Sequence, residues 1–398
     1  MKIFVADKLS DKILAALRAV GAEVRSDPNI KAEDLPQSIA DADVLIVRSK
    51  KVNAKTIESA ASLSLILRAG AGVDTIDVKA ANARGIYVAN CPGKNADAVA
   101  ELAIGLLLAA DRRIADGTAA LRDGKWLKGE FGKSRGLKGR TLGLVGYGTI
   151  GKAVARRAQG LEMQVLVWSR SMTPSLAAAA GVGYAASATE LAAHSDAISL
   201  HVAATKDTKH LVNAAFLAAM RPGAILINTA RGDVVDTAAL KTAVAAGKIR
   251  AALDVFEGEP TGSEAAFTDL ELAKLVTCTP HIGASTDQAS DAIANEAVRI
   301  VKVFKETGVP PNAVNISTRS AGKFTLTVRH FDRVGVLAAI LEGLRGDKVN
   351  VEEMQNTVFE GAQTACCSLS LGSEPSGGTL AELRKNSDIL YVTLTSRS

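Results

Sequence analysis

Six residues constrain this chain most: Gly146-Tyr147-Gly148-Thr149-Ile150-Gly151. An apolar run, Arg140 to Val145, precedes them, as a buried parallel strand would, and Lys152 to Ala158 follows as helix. Strand, tight turn and helix together give a G-x-G-x-x-G spacing its weight. The first glycine permits the turn. The second lets backbone come close to a pyrophosphate, and the third lets helix pack on strand. The helix N-terminus adds unpaired N–H groups and partial positive charge. Gly146, Gly148, Thr149, Ile150 and Gly151 are therefore the expected cradle for a dinucleotide.

The next expected strand is Gln164 to Trp168. An acidic residue near its end, about 20 residues past the glycines, would accept hydrogen bonds from the adenosine ribose. This chain has Ser169-Arg170 there. Serine removes the repulsion against a 2′-phosphate and arginine can pair with one, so NADP stands beside NAD as a cofactor. The alternative is a solvated Arg170, with NAD held through its pyrophosphate.

Two further stretches supply chemistry. Asn228-Thr229-Ala230-Arg231-Gly232 offers a guanidinium, and Glu259 and His281 offer a carboxylate and an imidazole. Histidine titrates near neutrality and suits proton transfer at a carbonyl oxygen. A carboxylate on its other ring nitrogen fixes the tautomer and favours the imidazolium. Arginine can bind a substrate carboxylate and polarise the neighbouring carbonyl. Arg231, Glu259 and His281 thus form a candidate catalytic set for hydride exchange with a 2-oxo acid. Singly, each has a plain alternative: a solvated arginine, a turn glutamate before Pro260, a surface histidine.

At 398 residues the chain has room for two or three domains, and 47% apolar with 22% charged residues is ordinary for a soluble protein. The net charge of +5 comes without a dense Lys/Arg tract, so nucleic acid is not an expected partner, whereas a small anionic substrate is. Cys91, Cys278, Cys366 and Cys367 lack C-x-x-C or His-Cys spacing. They read as reduced thiols of a cytoplasmic protein, and no metal is expected. Met1–Ala6 begins a strand rather than a signal peptide, and the longest apolar run, Leu102 to Ala110, is too short to span a membrane.

Residues 2–90 alternate short apolar runs with amphipathic stretches, with strand candidates at Ile3–Ala6, Val44–Val47, Leu65–Leu67 and Ile86–Ala89. A long helix is expected from about Asp97 to Gly117, then strands at Ala197–Leu200, Ala224–Ile227 and Ala251–Leu253. Helical text from Ser285 to Thr307 is expected to pack back on the first block. The expected fold class is α/β. A Rossmann-type doubly wound parallel sheet would occupy 94–283, and a flavodoxin-like substrate domain would take 1–93 and a return segment, 284–316, with the active site in the cleft. A linker is expected from Gly308 to Gly322. Residues 323–398 then run β-α-β-β-α-β, the ferredoxin-like α+β order.

Residues 1–316 resemble the D-isomer-specific 2-hydroxyacid dehydrogenases. The resemblance is carried by Arg68–Asp74, Gly146–Gly151, Asn228–Gly232, Asp254-Val255-Phe256 with Glu259-Pro260, and Thr279–Gly283. Residues 323–398 are similar to an ACT domain through His330–Leu337. The combination resembles the branch of the family that oxidises D-3-phosphoglycerate. It implies a phosphate-binding role for Arg48 and Arg68, a substrate-site role for Asn95 (the alternative is an N-cap), and a nicotinamide contact for Asp254 (the alternative is a turn cap). Thr229 and Ala230 join the cofactor-binding residues, and backbone N–H groups at Gly72 and Val73 could hold a carboxylate. His330, Asp332 and Asn350 fall where similar ACT domains bind an amino acid, so L-serine is an expected effector at an interface between subunits. Asp332 departs from the amide that serine-inhibited relatives often carry, and a purely structural ACT unit is the alternative. A homo-oligomer, dimer or tetramer, is expected through the Asp97–Gly117 region. Two other readings stay open: a reductase of glyoxylate, hydroxypyruvate or another D-2-hydroxy acid, using the same trio, and a non-catalytic, cofactor-sensing binding protein.

Overall fold

The computed structural model describes residues 1–260, 265–317 and 322–397, so part of the expected linker lies outside the described residues. The chain forms two compact units, Met1–Asn315 and Ile316–Ser398.

The first unit holds two parallel sheets. One contains β1 (Lys2–Val5), β2 (Glu23–Ser26), β3 (Val44–Val47), β4 (Leu65–Arg68) and β5 (Tyr87–Asn90), in the flavodoxin-like order β2-β1-β3-β4-β5. β3 is buried along its whole length and β4 along most of it, which is why they read as unbroken apolar runs. β2, Glu-Val-Arg-Ser, lies at the sheet edge, mostly exposed, and leaves no such run. The helix Asp287–Thr307 lays Ile293, Ala297, Ile300 and Val301 on Ile3, Val5, Ile46 and Leu67. The expected linker needs a correction. Val314 N–H donates to the Val88 carbonyl and Val88 N–H to Asn315 Oδ1, both at 2.8 Å, so this segment covers the open edge of β5.

The other sheet contains β6 (Thr141–Val145), β7 (Gln164–Trp168), β8 (Gly183–Tyr184), β9 (Ala197–Leu200), β10 (Ile225–Asn228), β11 (Arg250–Leu253) and β12 (Thr277–Cys278). Its order is β12-β11-β10-β9-β6-β7-β8. The order reverses between β6 and β9, and ligands of such sheets bind outside the strands' carboxyl ends at that reversal. The helix Ala96–Arg112 packs Ala100, Ala103, Leu106 and Leu107 on Leu142, Leu144, Ile225 and Ile227. The single helix expected over Asp97–Gly117 is broken at Arg113, whose φ is 50°, and a second helix runs Ile114–Arg122. Arg113 is held in that left-handed conformation by ion pairs to Asp116 and Glu130 and by stacking over Phe131.

The second unit has β13 (Phe324–Phe331), β14 (Val351–Val358), β15 (Thr364–Leu371) and β16 (Ile389–Ser396) in the antiparallel order β14-β15-β13-β16. Helices Val336–Gly346 and Gly377–Lys385 complete the β-α-β-β-α-β order. Leu326, Val328, Ile340, Leu344, Cys367 and Leu369 form its core. Among the described residues no helix is long and apolar enough to cross a membrane, and no group of His, Cys, Asp and Glu could hold a metal ion.

Candidate active site

β11 delivers Asp254 at its carboxyl end, 1% exposed. Its carboxylate accepts from Thr279 Oγ1 (2.6 Å), Ile282 N–H (2.8 Å) and Gly283 N–H (2.9 Å), and its carbonyl accepts from His281 N–H (2.8 Å). The turn from Thr279 to Gly283 is thus wrapped around one buried carboxylate. His281 sits in it at φ 52°, a conformation that persists only where surrounding bonds hold it. Asp254 was expected at the nicotinamide. The geometry shows it capping this turn through three donors, and the carboxylate keeps acceptor capacity beyond them.

His281 Nδ1 lies 2.6 Å from Glu259 Oε2, and Glu259 Oε1 accepts from Phe256 N–H at 2.8 Å. The Glu259 hydrogen bond outweighs burial and lifts the His281 pKa above the usual histidine value. Burial would raise the Glu259 pKa, but the bonds from His281 and Phe256 and the charge of Arg231 bring it below the ordinary glutamate value. With Nδ1 engaged, Nε2 is left for proton exchange.

Three guanidiniums gather where β3, β4 and β10 end. Asn228 shapes the turn that presents Arg231: its Oδ1 accepts from Ala230 N–H (3.0 Å) and its Nδ2 donates to the Arg231 carbonyl (2.9 Å). Arg231 Nε donates to Asp74 Oδ2 at 3.0 Å, and a Cβ at Gly72 would come within 2.2 Å of Arg231 Nη2. Arg68 folds over Gly70, where a Cβ would strike its guanidinium. Burial first, then the nearby charges of Arg231 and Arg48, lower the Arg68 pKa, and Arg68 Nε is buried without a hydrogen-bond partner. Such a cluster is suited to an anion. Beside it, the N–H groups of Gly72 and Val73 donate to no backbone carbonyl among the described residues. Asn95 opens the helix Ala96–Arg112 but makes no side-chain cap, and its Oδ1 is buried without a partner. The N-cap alternative therefore has no support from the geometry.

The glycine loop divides by role. Gly146 has φ 99°, and a Cβ there would lie 2.4 Å from the His201 carbonyl oxygen. A Cβ on Gly151 would lie 2.4 Å from the Gly146 carbonyl oxygen. Both glycines are required by the fold. A Cβ on Gly148 would meet nothing within 4 Å, so its bareness serves an incoming group rather than the protein. The helix Thr149–Gly160 starts there without a side-chain cap, leaving the N–H groups of Thr149, Ile150 and Gly151 at its open end. His201 was missed by sequence reasoning; its place directly after the expected strand Ala197–Leu200 was the available signal, and the structure puts it at the strand-order reversal. Its Nε2 is buried without a partner and burial pushes its pKa down to about 4, so the ring is neutral. Buried Thr229 Oγ1 is also unpartnered at the end of β10. Unpaired buried polar atoms beside a bare loop fit a polar ligand such as a dinucleotide. At the adjacent strand end, the Trp168 carbonyl accepts from Gly146 N–H (2.8 Å), which brings Ser169 to the loop. Arg170 is exposed and only loosely paired, 3.7 Å from Asp207.

The expected effector residues do not meet within one subunit. His330 is 1% exposed, with Nδ1 2.7 Å from the Phe331 carbonyl and Nε2 3.1 Å from Asn356 Oδ1, so both ring nitrogens are occupied. Asp332 and Asn350 are exposed, and Asn350 donates to Glu352 at 2.8 Å. His330 pairs with Ala365 near the start of β15, whereas the Asn350 carbonyl accepts from Gly372 just past its end. Seven residue steps along β15, roughly 23 Å, separate the two positions.

The model of the NAD binding domain of D-isomer specific 2-hydroxyacid dehydrogenases matches residues 104–283. The chain is 44% identical over 289 residues to a hydroxypyruvate reductase of Thermotoga maritima, covering 72% of this chain and 92% of that one. It is 38% identical over 361 residues to a D-3-phosphoglycerate dehydrogenase of Archaeoglobus fulgidus, covering 88% of this chain and 67% of that one. The NAD+-bound crystal structure of 3-phosphoglycerate dehydrogenase from Entamoeba histolytica is similar at TM-score 0.67 and 29% identity, covering 79% of this chain and 99% of that one.

Proposed function

The chain belongs to the D-isomer-specific 2-hydroxyacid dehydrogenase family and carries its NAD-binding domain, and from that premise we propose that it oxidises D-3-phosphoglycerate to 3-phosphohydroxypyruvate. In this reading His281 Nε2 takes the proton of the 2-hydroxyl group, and Glu259 stabilises the imidazolium that results. Arg231 holds the substrate carboxylate beside the N–H groups of Gly72 and Val73, and polarises the forming carbonyl. NAD, when bound, supplies the hydride acceptor. Arg48 and Arg68 hold the phosphate.

One observation carries the phosphate: the buried, unpartnered Nε of Arg68, near enough to Arg48 and Arg231 to feel both charges. A single carboxylate needs one such cation, and a substrate with a second anionic end gives work to the others. The match to the Archaeoglobus enzyme also spans more of the chain than Met1–Asn315 can supply, so it reaches into the C-terminal unit. The test is steady-state oxidation of D-3-phosphoglycerate with NAD and with NADP. Turnover supports the reading, and none with either cofactor rejects it.

A second reading, reduction of glyoxylate or hydroxypyruvate, is favoured by the 44% identity to the Thermotoga reductase. The same Arg231, Glu259 and His281 would serve it, leaving Arg48 and Arg68 without a phosphate to bind. The C-terminal unit is proposed to bind L-serine between two copies of the chain, since His330 and Asn350 stand at opposite ends of one sheet. A homo-oligomer is proposed as well, on the exposed apolar side chains Ile114, Leu121, Trp126 and Leu127.

A further inference from the structure

Asp7 lies outside the site described above, yet it is 7% exposed and charged. It follows β1, which pairs with β3 so that Val5 faces Ile46, and Ala6 N–H donates to the Ile46 carbonyl at 3.0 Å. This register sets Asp7 against the turn that leaves β3. Its Oδ2 accepts from the backbone N–H groups of Arg48 (2.7 Å), Ser49 (3.1 Å) and Lys50 (3.2 Å). Its Oδ1 accepts from Ser49 Oγ at 2.6 Å. Burial works against the carboxylate, but these four bonds outweigh it and keep the pKa below the usual aspartate value.

Three consecutive N–H groups converging on one carboxylate fix the backbone of the segment that carries them. The segment is Arg48-Ser49-Lys50, at the carboxyl end of a parallel strand, where such sheets bind ligands. Val47, the last residue of β3, pairs with Arg68, so the Asp7 nest, Arg48 and Arg68 occupy three neighbouring strand ends. Arg48 reaches its target on a long, flexible side chain, and its aim depends on where its backbone is held. None of the bonds that Asp7 makes is to a guanidinium or ammonium, so the carboxylate orders the turn without neutralising the cation the turn presents.

We propose that Asp7 is a positioning residue that fixes the Arg48–Lys50 turn, aims Arg48 at the distal anionic group of the substrate, and so sets the preference for a phosphorylated over an unphosphorylated hydroxy acid. The proposal rests on the phosphoglycerate reading above. The experiment measures kcat and KM for D-3-phosphoglycerate and for D-glycerate, which lacks only the phosphate. The variants are Asp7→Asn, Ser49→Ala, Arg48→Ala and the double variant Asp7→Asn/Arg48→Ala, each checked for NADH binding and thermal stability. Asp7→Asn is expected to raise KM for D-3-phosphoglycerate about 10-fold with kcat nearly unchanged, since a small misplacement of a binding group is costly. D-glycerate oxidation should stay as it was, and Asp7→Asn should add little once Arg48 is gone. Ser49→Ala, which removes one bond of the four, should shift KM the same way by less. If Asp7→Asn lowers turnover of both substrates alike, or changes neither, Asp7 only stabilises the fold and the proposal is overturned. Selective loss in Arg48→Ala without selective loss in Asp7→Asn rejects Asp7 alone. Equal loss on both substrates in Arg48→Ala rejects the phosphate reading and the proposal with it.

Discussion

Glu259 and His281, 22 residues apart, share a 2.6 Å hydrogen bond between Oε2 and Nδ1. The bond exists because Asp254 gathers the turn from Thr279 to Gly283 and Phe256 N–H anchors the other Glu259 oxygen. Two loops that leave neighbouring strands are thus tied into one proton-handling pair.

That pair predicts a pH profile. Oxidation needs the neutral imidazole and reduction needs the imidazolium. Because Glu259 lifts the His281 pKa above 6.5, kcat/KM for oxidation should rise through an inflection above that pH, and reduction should fall through the same one. Glu259→Gln removes the carboxylate charge, so both inflections should move to lower pH. An inflection that stays in place in the variant would separate Glu259 from the titration.

The same shifts predict a stability window. A raised histidine pKa stabilises the fold fully below 6.5, and the effect fades as pH rises through the raised value. A lowered glutamate pKa stabilises it fully above 4.5, and that fades as pH falls through the lowered value. The difference in Tm between the wild type and Glu259→Gln should therefore be largest between pH 4.5 and 6.5. A difference that is flat with pH would contradict this.

The glycines of the nucleotide loop should fail in different ways. Gly151→Ala must push a Cβ against the Gly146 carbonyl oxygen, so it should lower Tm or prevent folding. Gly148→Ala meets no protein atom, so it should fold normally and weaken NADH binding, measured by fluorescence titration. Normal NADH affinity in Gly148→Ala would remove that residue from the cofactor site.

Ser169-Arg170 bears on cofactor choice. The loose Arg170–Asp207 pair leaves the guanidinium available, and measurable NADP turnover is expected. Ser169→Asp should shift the ratio of kcat/KM values toward NAD by repelling a 2′-phosphate. Exclusive use of NAD, with a ratio the variant leaves unchanged, would show that these residues do not discriminate.

If L-serine binds across two copies, His330→Ala and Asn350→Ala should each abolish inhibition, yet a mixed oligomer of the two variants should recover part of it. Recovery follows because one interface of the mixture pairs an intact His330 with an intact Asn350. Calorimetry showing no heat on serine addition to the wild type, with unchanged activity, would leave the C-terminal unit a structural role.

Much of the fold was legible because parallel strands buried on both faces leave apolar runs. Val44–Val47 and Ala197–Leu200 stand in the structure where the runs stand in the sequence. The edge strand Glu23–Ser26 and the two-residue strands Gly183–Tyr184 and Thr277–Cys278 carry no such pattern. The candidate site shows a similar division. Glycine, arginine and histidine were legible because the chemistry restricts the choice of residue. The positioning roles of Asp7, Asp74 and Asn228 were not, because they act through hydrogen bonds to loops whose proximity only the fold creates. His201 was hidden for another reason: its unpartnered nitrogen is a consequence of burial. The separation of His330 from Asn350 depends on strand register, which six short elements in sequence do not reveal.

The most direct measurement compares two substrates that differ only by a phosphate. With NADH, kcat/KM should be at least ~10²-fold higher for 3-phosphohydroxypyruvate than for hydroxypyruvate, because without the phosphate the Arg48 and Arg68 cations go unpaired. Arg48→Ala should collapse most of that ratio. Equal efficiency on the two, or a preference for hydroxypyruvate, would contradict the phosphoglycerate assignment and favour the reductase.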